Sequence, residues 1–274
     1  MTTQTLFPDP VLENEAIELL ALESLHRQAS PTLRARLGLG WHAQGGAQLS
    51  IAAGLPASAF VVNRAFGLRP ESLGPVAATY RAAGVERFFV HPASDEPDLM
   101  DAAQAAGLVP ARGWQKFTRL RGAPLPEAAG LSIRRVLPGA DDDAAAVGRI
   151  VSAAFDLGTA AAPWLACLCH DPRWHVFLAE IDGRPAGTGS LFVADGLGWI
   201  DWDATDPALR GCGVQRALML HRLRLADAMD LQRTHTCTGL PVPGDPQHSW
   251  NNIRRCGFDE TSARANFAPP RQAS

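Results

Sequence analysis

The chain has 274 residues, 46% of them hydrophobic and 19% charged, with a formal net charge of −3. That composition suits a soluble protein with sizeable cores, and the length leaves room for two domains. The weakly acidic balance offers no broad basic surface for nucleic acid; no apolar run reaches the ~18 residues a bilayer requires, and the start MTTQTLFPDP lacks a basic-then-apolar export signal, so neither nucleic acid nor membrane is expected as a partner and the address expected is cytoplasmic.

In chain order, Asp9 to Gln28 reads as a helix, with Leu12, Ile17, Leu19, Leu20, Leu22 and Leu25 supplying an apolar side. Gln48 to Ala52 and Ser58 to Asn63 read as strands separated by Gly-Leu-Pro. Leu73 to Ala83 is helical and holds the single tyrosine, Tyr80; Glu86 to His91 is a buried-looking strand, Pro97 to Ala106 a helix, and Gln115 to Leu120 a closing strand. From Arg121 to Gly130 the composition turns to Gly, Ala, Pro and Leu, a linker.

The second half begins with a strand, Leu131 to Val136, and a helix from Asp141 to Phe155 whose Asp141-Asp142-Asp143 start reads as an acidic cap with no metal role. Pro163 to Cys169 is a short helix. Trp174 to Ile181, Pro185 to Val193 and Gly198 to Thr205 form a meander, its first turn marked by Asp182-Gly183. Thr234 to Thr238 is a strand, Gln247 to Cys256 a helix stopped by Gly257, and Phe258 to Phe267 the last strand or pair of strands. The five cysteines include no Cys-x-x-Cys, and His170 and His175 suit no common metal spacing, so no metal is expected.

The informative stretch is Trp199 to Leu220, WIDWDATDPALRGCGVQRALML. A strand ends at Asp206-Pro207, and Ala217, Leu218, Leu220, Leu223, Leu225 and Ala226 then recur at helical spacing between arginines. Between them lies Arg210-Gly211-Cys212-Gly213-Val214-Gln215. A glycine turn feeding a helix start aims unpaired backbone N–H groups outward at the positive end of the helix dipole, and the natural guest is an anion, most often phosphate. A dinucleotide fingerprint needs a glycine where Arg216 stands, and a P-loop needs a Gly-Lys-Ser/Thr end; neither is present. A glycine turn without a ligand is the alternative.

The Arg210-x-x-Gly213-x-Gln215 loop, directly after a strand and a proline turn, resembles the Arg-x-x-Gly-x-Gly/Ala pyrophosphate loop of the GNAT (GCN5-related) N-acetyltransferases, with Gln215 in place of the last small residue. Ser249-x-x-Asn252-x-x-Arg255-x-Gly257-Phe258 is similar to the terminal helix of a bacterial subset of that family, and the element order across 131–268 resembles the whole fold. The first half resembles a faded copy: Arg64 to Arg69 stands where a loop belongs, and Gly107-Leu108 ends a helix as Gly257-Phe258 does. The expected architecture is therefore α+β or α/β, two tandem GNAT-like domains with mixed, mostly antiparallel sheets. Residues 1–121 form the degenerate one, 122–130 the linker and 131–274 the acetyltransferase.

The resemblance implies acetyl-CoA as co-substrate. Backbone N–H groups of Gly211, Cys212, Gly213, Val214, Gln215 and Arg216 would surround the pyrophosphate, with Arg210, Arg216 and Arg222 adding charge. Main-chain groups at Asp203, Ala204 and Thr205 would pair with the pantetheine arm, and Ser249 and Asn252 would face the thiol end. The acceptor implied is an amine of a small molecule or peptide, attacking the thioester directly. Asp201 and Asp203, alternating about Trp202 on a strand, are expected to share one face and to supply the base. Position 253, where many relatives carry a tyrosine acid, holds Ile253, which leaves protonation of the thiolate to Ser249 or water. Trp199, Trp202 and Trp250 wall an acceptor pocket or pack the core. A non-catalytic acyl-CoA sensor or interaction module is the rival reading, and a monomer or homodimer the expected state.

Overall fold

Residues 10–92, 98–127 and 130–271 are described by a computed structural model of the protein. The first half runs through α1 (Pro10–Gln28), α2 (Pro31–Leu37), β1 (Leu39–Gln44), β2 (Ala47–Ala52), β3 (Arg64–Leu68), α3 (Pro70–Ala82), β4 (Phe89–Pro92), α4 (Leu99–Ala105) and β5 (Val109–Leu120). The second runs through β6 (Ser132–Val136), α5 (Asp141–Ala154), α6 (Ala162–Ala166), β7 (Trp174–Ile181), β8 (Arg184–Ala194), β9 (Leu197–Thr205), α7 (Val214–Ala228), β10 (Arg233–Gly239), α8 (His248–Arg255) and β11 (Asp259–Ala268).

Among the described residues eleven strands join one sheet, in the order β1-β2-β3-β4-β11-β5-β10-β9-β8-β7-β6. The order is palindromic in its logic. Outward from the centre, β4 and β3 on one side mirror β10 and β9 on the other, and both pairs are parallel within an otherwise antiparallel sheet. At the centre the halves trade their last strands. β5 pairs along β10 from Arg233↔Leu120 to Gly239↔Trp114, while β11 lies against β5 and reaches β4 at Phe267↔Val90. A duplicated unit explains this symmetry, and the trade makes the sheet continuous.

Several local readings differ from the sequence-based expectation, among them β1, a strand with no counterpart in it. Ser58 to Asn63 forms a 3₁₀ turn over Ala59–Val62, because Pro56 O accepts the Ala59 N–H at 2.8 Å and the Asn63 side chain takes the Ala52 N–H at 2.7 Å. An apolar run as short as Phe60-Val61-Val62 carries no periodicity to tell strand from turn. The strand lies one step on, so Arg64 to Leu68, expected as a loop, is β3. Between Ser30, whose hydroxyl caps the Leu33 N–H at 3.2 Å, and Gly38, at φ +57°, stands α2, a short helix that the expectation left out. Gly107 and Gly257, at φ +70° and +84°, do occupy matching bends after α4 and α8.

The first helix bridges the two halves, pairing through Glu18 with Arg64 and through His26 with Ser50 on one side and reaching into the second half on the other. On α1, Ser24 donates to Asp171 at 2.6 Å and accepts from the Trp174 indole at 3.0 Å, Leu25 O accepts from the Trp164 indole at 2.9 Å, and Glu13 accepts twice from Arg233 at 2.8 Å. Ile17 and Leu25 share a core with Trp164, Trp174 and Trp199. The helices α7 and α8 bury Met219, Leu220, Leu223 and Ile253 with Ile200 and Phe117 in a separate cluster. The β9–β10 region is thus held between two packed layers.

Candidate active site

The parallel pairing of β9 with β10 stops at His235↔Trp199. Beyond it β9 follows β8 and β10 follows β5, so the two strands part like a V whose base is closed by the Thr236 hydroxyl donating to Ile200 O at 3.0 Å. At the mouth of the V sits the glycine bend. Gly211 and Gly213 have φ of +83° and +76°, a left-handed conformation that disfavours side chains, and an added Cβ at either would meet nothing within 4 Å. Among the described residues no segment fills the space beside these two glycines. Gly213 is the N-cap of α7 and offers no side chain to satisfy the first helical N–H groups, which leaves them for an anion.

The residues expected around that anion fall into two groups. Arg210, Gly211, Cys212 and Gly213 are exposed, and Gln215 and Arg216 are half-buried, all at the start of α7. Val214 is buried against Leu218 and Phe177, so its backbone alone is available. Arg222 is a correction. Its guanidinium is fully buried, donates to Ser190 O and Leu218 O at 3.0 Å each, and is ion-paired to Asp203. It has no charge to lend a pyrophosphate.

Asp201 and Asp203 do not share a face, contrary to the alternation expected. The register of β8 on β9 slips between Thr188↔Ala204 and Ser190↔Asp201, and Trp202 takes φ +55°, so a β-bulge inverts the parity of the strand. Asp203 turns to α7 and Arg222. Asp201 turns to the cavity, where Oδ2 accepts from the Trp199 indole at 3.0 Å and Oδ1 from the Trp202 N–H at 2.7 Å. Burial pushes the Asp201 carboxyl up to about 6 against these two hydrogen bonds, while the nearby Glu18 carboxylate adds to the rise. Burial also raises Asp203, opposed by the Arg222 guanidinium. Both carboxylates border the cavity, but Asp203 is committed to the Arg222 ion pair, whereas Asp201 has the proton affinity that suits a base at neutral pH.

A cavity of about 230 Å³ opens beneath the V. Gln215 and Met219 of α7 and Ser249 and Ile253 of α8 line one side, and Thr236 to Gly239 run along β10. The other side is built by the first half and the exchanged strand: Glu18 and Leu22 on α1, Arg64 on β3, Trp114 on β5, with Phe155, Trp199 and Trp202 completing it. Trp250 is elsewhere, edge-on to Phe117 at 5.2 Å between ring centroids.

Sequence reasoning missed the floor of this cavity. Glu18 is ion-paired to both Arg64 and Lys116, all three buried. Burial alone would raise the Glu18 carboxyl, but the two cations outweigh it and hold it at about 2. Arg64 also donates to His91 at 3.0 Å and stacks over Trp114 at 4.0 Å. Burial, with Arg64 alongside, drives the His91 pKa well below its ordinary value, so this histidine is neutral. A signal did exist: Lys116 is the single lysine among the 25 Lys and Arg, and it stands in a strand between Trp114 and Phe117.

Ser249 and Asn252 stand one turn apart on α8, and both reach Gln215: Asn252 Nδ2 donates to Gln215 Oε1 at 2.8 Å, and Gln215 Nε2 to Ser249 Oγ at 3.3 Å. Ala204 is buried and Thr205 half-buried at the open end of β9. Among the described residues no group of three or more His, Cys, Asp or Glu is placed to hold a metal, and no helix is long and apolar enough to cross a membrane.

Residues 149–258, which hold the bend and both helices beside it, match the family model for the acetyltransferase (GNAT) family. The mycothiol acetyltransferase of Kineococcus radiotolerans is 31% identical over 205 residues, covering 70% of this chain; the chain spans 65% of that curated relative's length. A GCN5-related N-acetyltransferase from Kribbella flavida has the same fold, with a TM-score of 0.64 at 14% identity over 97% of this chain and 98% of that one. A tandem GNAT protein of the clavulanic acid biosynthesis pathway has a TM-score of 0.56 at 16% identity, over 93% of each chain. The open V, the bend at the head of α7 and these likenesses converge: residues 149–258 carry a GNAT acetyltransferase domain, and the chain as a whole has the fold of tandem GNAT proteins.

Proposed function

We propose that the protein transfers the acetyl group of acetyl-CoA to a primary amine of a small molecule or peptide that enters from the side walled by the first half. The observation that carries this is the coincidence, in one cavity, of the strand opening, the glycine bend at its mouth and a carboxyl whose pKa is raised to about 6. The pyrophosphate lies on the N–H groups of Gly211 to Arg216, the pantetheine arm along the open edge of β9 at Ala204 and Thr205, and the thioester beside Ser249 and Asn252. Asp201 takes the proton of the ammonium, so that a neutral amine attacks the thioester carbonyl. Asp203 holds Arg222 and so fixes α7 against β8. No covalent enzyme intermediate is required.

Residues 1–121, 122–130 and 131–274 remain the proposed division, with the first unit degenerate as a cofactor site. Two observations support this: β3 and β4 stay paired as far as Leu68↔Pro92, leaving no V, and the Arg69 N–H at the head of α3 is taken by the Ser72 hydroxyl at 3.0 Å. Its remaining part in the site is the wall of Glu18, Arg64 and Trp114.

The rival, an acyl-CoA sensor without catalysis, is favoured by Ile253, an apolar side chain at the position of the family's tyrosine. One titration separates them. Acetyl-CoA at ~100 times its Kd should stabilise the native state by about 2.7 kcal/mol. If it does, release of free CoA thiol in the presence of a panel of primary amines makes the protein an enzyme; stabilisation with no release for any amine makes it a sensor. No stabilisation at all removes both.

A further inference from the structure

We infer that Gln215 is a positioning residue that aims the hydroxyl of Ser249 at the sulfur leaving acetyl-CoA, an inference that rests on the function proposed above. Gln215 stands at the second position of α7, where the family's loop pattern has a small residue, and its side chain lies between two residues of α8. The chain of donors has a direction. The Asn252 amide donates to Gln215 Oε1 at 2.8 Å, which fixes that oxygen as the acceptor and turns Nε2 toward Ser249 Oγ at 3.3 Å. A serine hydroxyl has one proton to give and lone pairs to receive. With Nε2–H occupying a lone pair, the proton points away from Gln215, and among the described residues no protein acceptor takes it. Ser249 and Gln215 both line the cavity that holds Asp201, and Ile253, one turn on from Ser249, closes the same wall without a polar atom. The hydroxyl proton is therefore the one that α8 presents to the cavity at the place left by the missing tyrosine.

The acceptor ammonium gives its proton to Asp201, and the nitrogen lone pair forms the bond to the thioester carbonyl carbon. The carbon–sulfur bond breaks with its electron pair going to sulfur. Ser249 passes its hydroxyl proton to that sulfur and recovers one from the nitrogen, which must shed its second proton to become an amide. The products are the N-acetyl amide, the free thiol of CoA and one proton on Asp201, with Ser249 unchanged. Ser249 is the catalytic group; Gln215 acts through it and Asn252 through Gln215.

The test uses the full chain with acetyl-CoA and any amine that supports turnover, comparing wild type, Ser249→Ala, Gln215→Glu and the double variant. A glutamate at 215 still accepts from Asn252 but also accepts from Ser249, and so turns the hydroxyl proton out of the cavity. Each single variant should lower kcat at saturating acetyl-CoA about 10- to 100-fold, the span expected for one hydrogen bond to developing charge. The double variant should be no slower than either single one, and calorimetric Kd values for CoA, read separately, keep any charge effect on binding out of kcat. Additive losses in the double variant, or a Ser249→Ala enzyme at full kcat, would overturn the inference with the proposed function intact. So would Gln215→Glu at wild-type kcat beside an impaired Ser249→Ala, since that means Ser249 already donates to position 215. A wild type that binds no acetyl-CoA overturns the proposed function itself.

Discussion

A carboxyl whose proton affinity rises on burial is a burden on the folded state at neutral pH, and Asp201, the proposed base, offers a way to weigh it. Its carboxyl sits at about 6 in the fold, against 3.8 for the free side chain, mainly through burial. A carboxyl raised on folding binds its proton more tightly in the native than in the unfolded state. Its unfavourable contribution is thus absent below about pH 4, grows between the two values and is complete above about pH 6. Two units correspond to about 3 kcal/mol at pH 8. Asp201→Asn removes the ionisation but leaves one oxygen for the two donors, Trp199 Nε1 and Trp202 N–H, a loss of about 1 kcal/mol at every pH. The variant is therefore expected to be about 2 kcal/mol more stable than wild type at pH 8 and slightly less stable at pH 4, while its transfer rate falls ~10²- to 10⁴-fold. Urea unfolding of both proteins at the two pH values, with rates measured in parallel, provides the comparison. A stability difference that does not change with pH would refute the assigned environment of Asp201; an unaltered rate would refute its role.

Other perturbations address the remaining parts of the site. Asp203→Ala strands the buried Arg222 guanidinium and should cost about 3–5 kcal/mol in chemical denaturation; the acid limb of the wild-type pH–rate profile should survive in it, since that limb belongs to Asp201. Gly213→Trp, at φ +76° and facing open space, should abolish stabilisation by acetyl-CoA while far-ultraviolet circular dichroism stays native; a normal Kd would refute the bend as the pyrophosphate site. Trp114→Ala should raise KM for the amine several-fold and leave the Kd of acetyl-CoA as it was, because Trp114 stands on the wall from β5; the reverse pattern would exchange the two ends of the cavity.

The second half was legible because its signals are local. The Asp182-Gly183 turn set the register of β7 on β8, and Gly211-Cys212-Gly213 before an apolar-periodic run announced the head of α7. The bulge at Trp202 was not legible. A tryptophan at positive φ has no propensity signature, and one extra residue in a strand inverts which carboxylate meets the cavity. The floor of the site was hidden for another reason. Glu18 reads as an ordinary polar position on a helix until Lys116, nearly a hundred residues away, is folded beneath it, and periodicity records nothing of such a pairing. Arg64 reads as a loop residue in the sequence because the apolar run before it, Phe60-Val61-Val62, resembles the strand that Arg64 in fact begins.

The trade of central strands has a consequence for how the molecule comes into being. Neither half can finish its own sheet: the flank of β4 waits for β11, and β11 reaches it beside β5, which also covers β10. During synthesis the first half therefore emerges with a bare strand edge, the kind that invites association with other chains, until Asp259 to Ala268 have left the ribosome. Cutting the chain at the linker would sever two partners that complete each other, so the two halves fold, and fail, together.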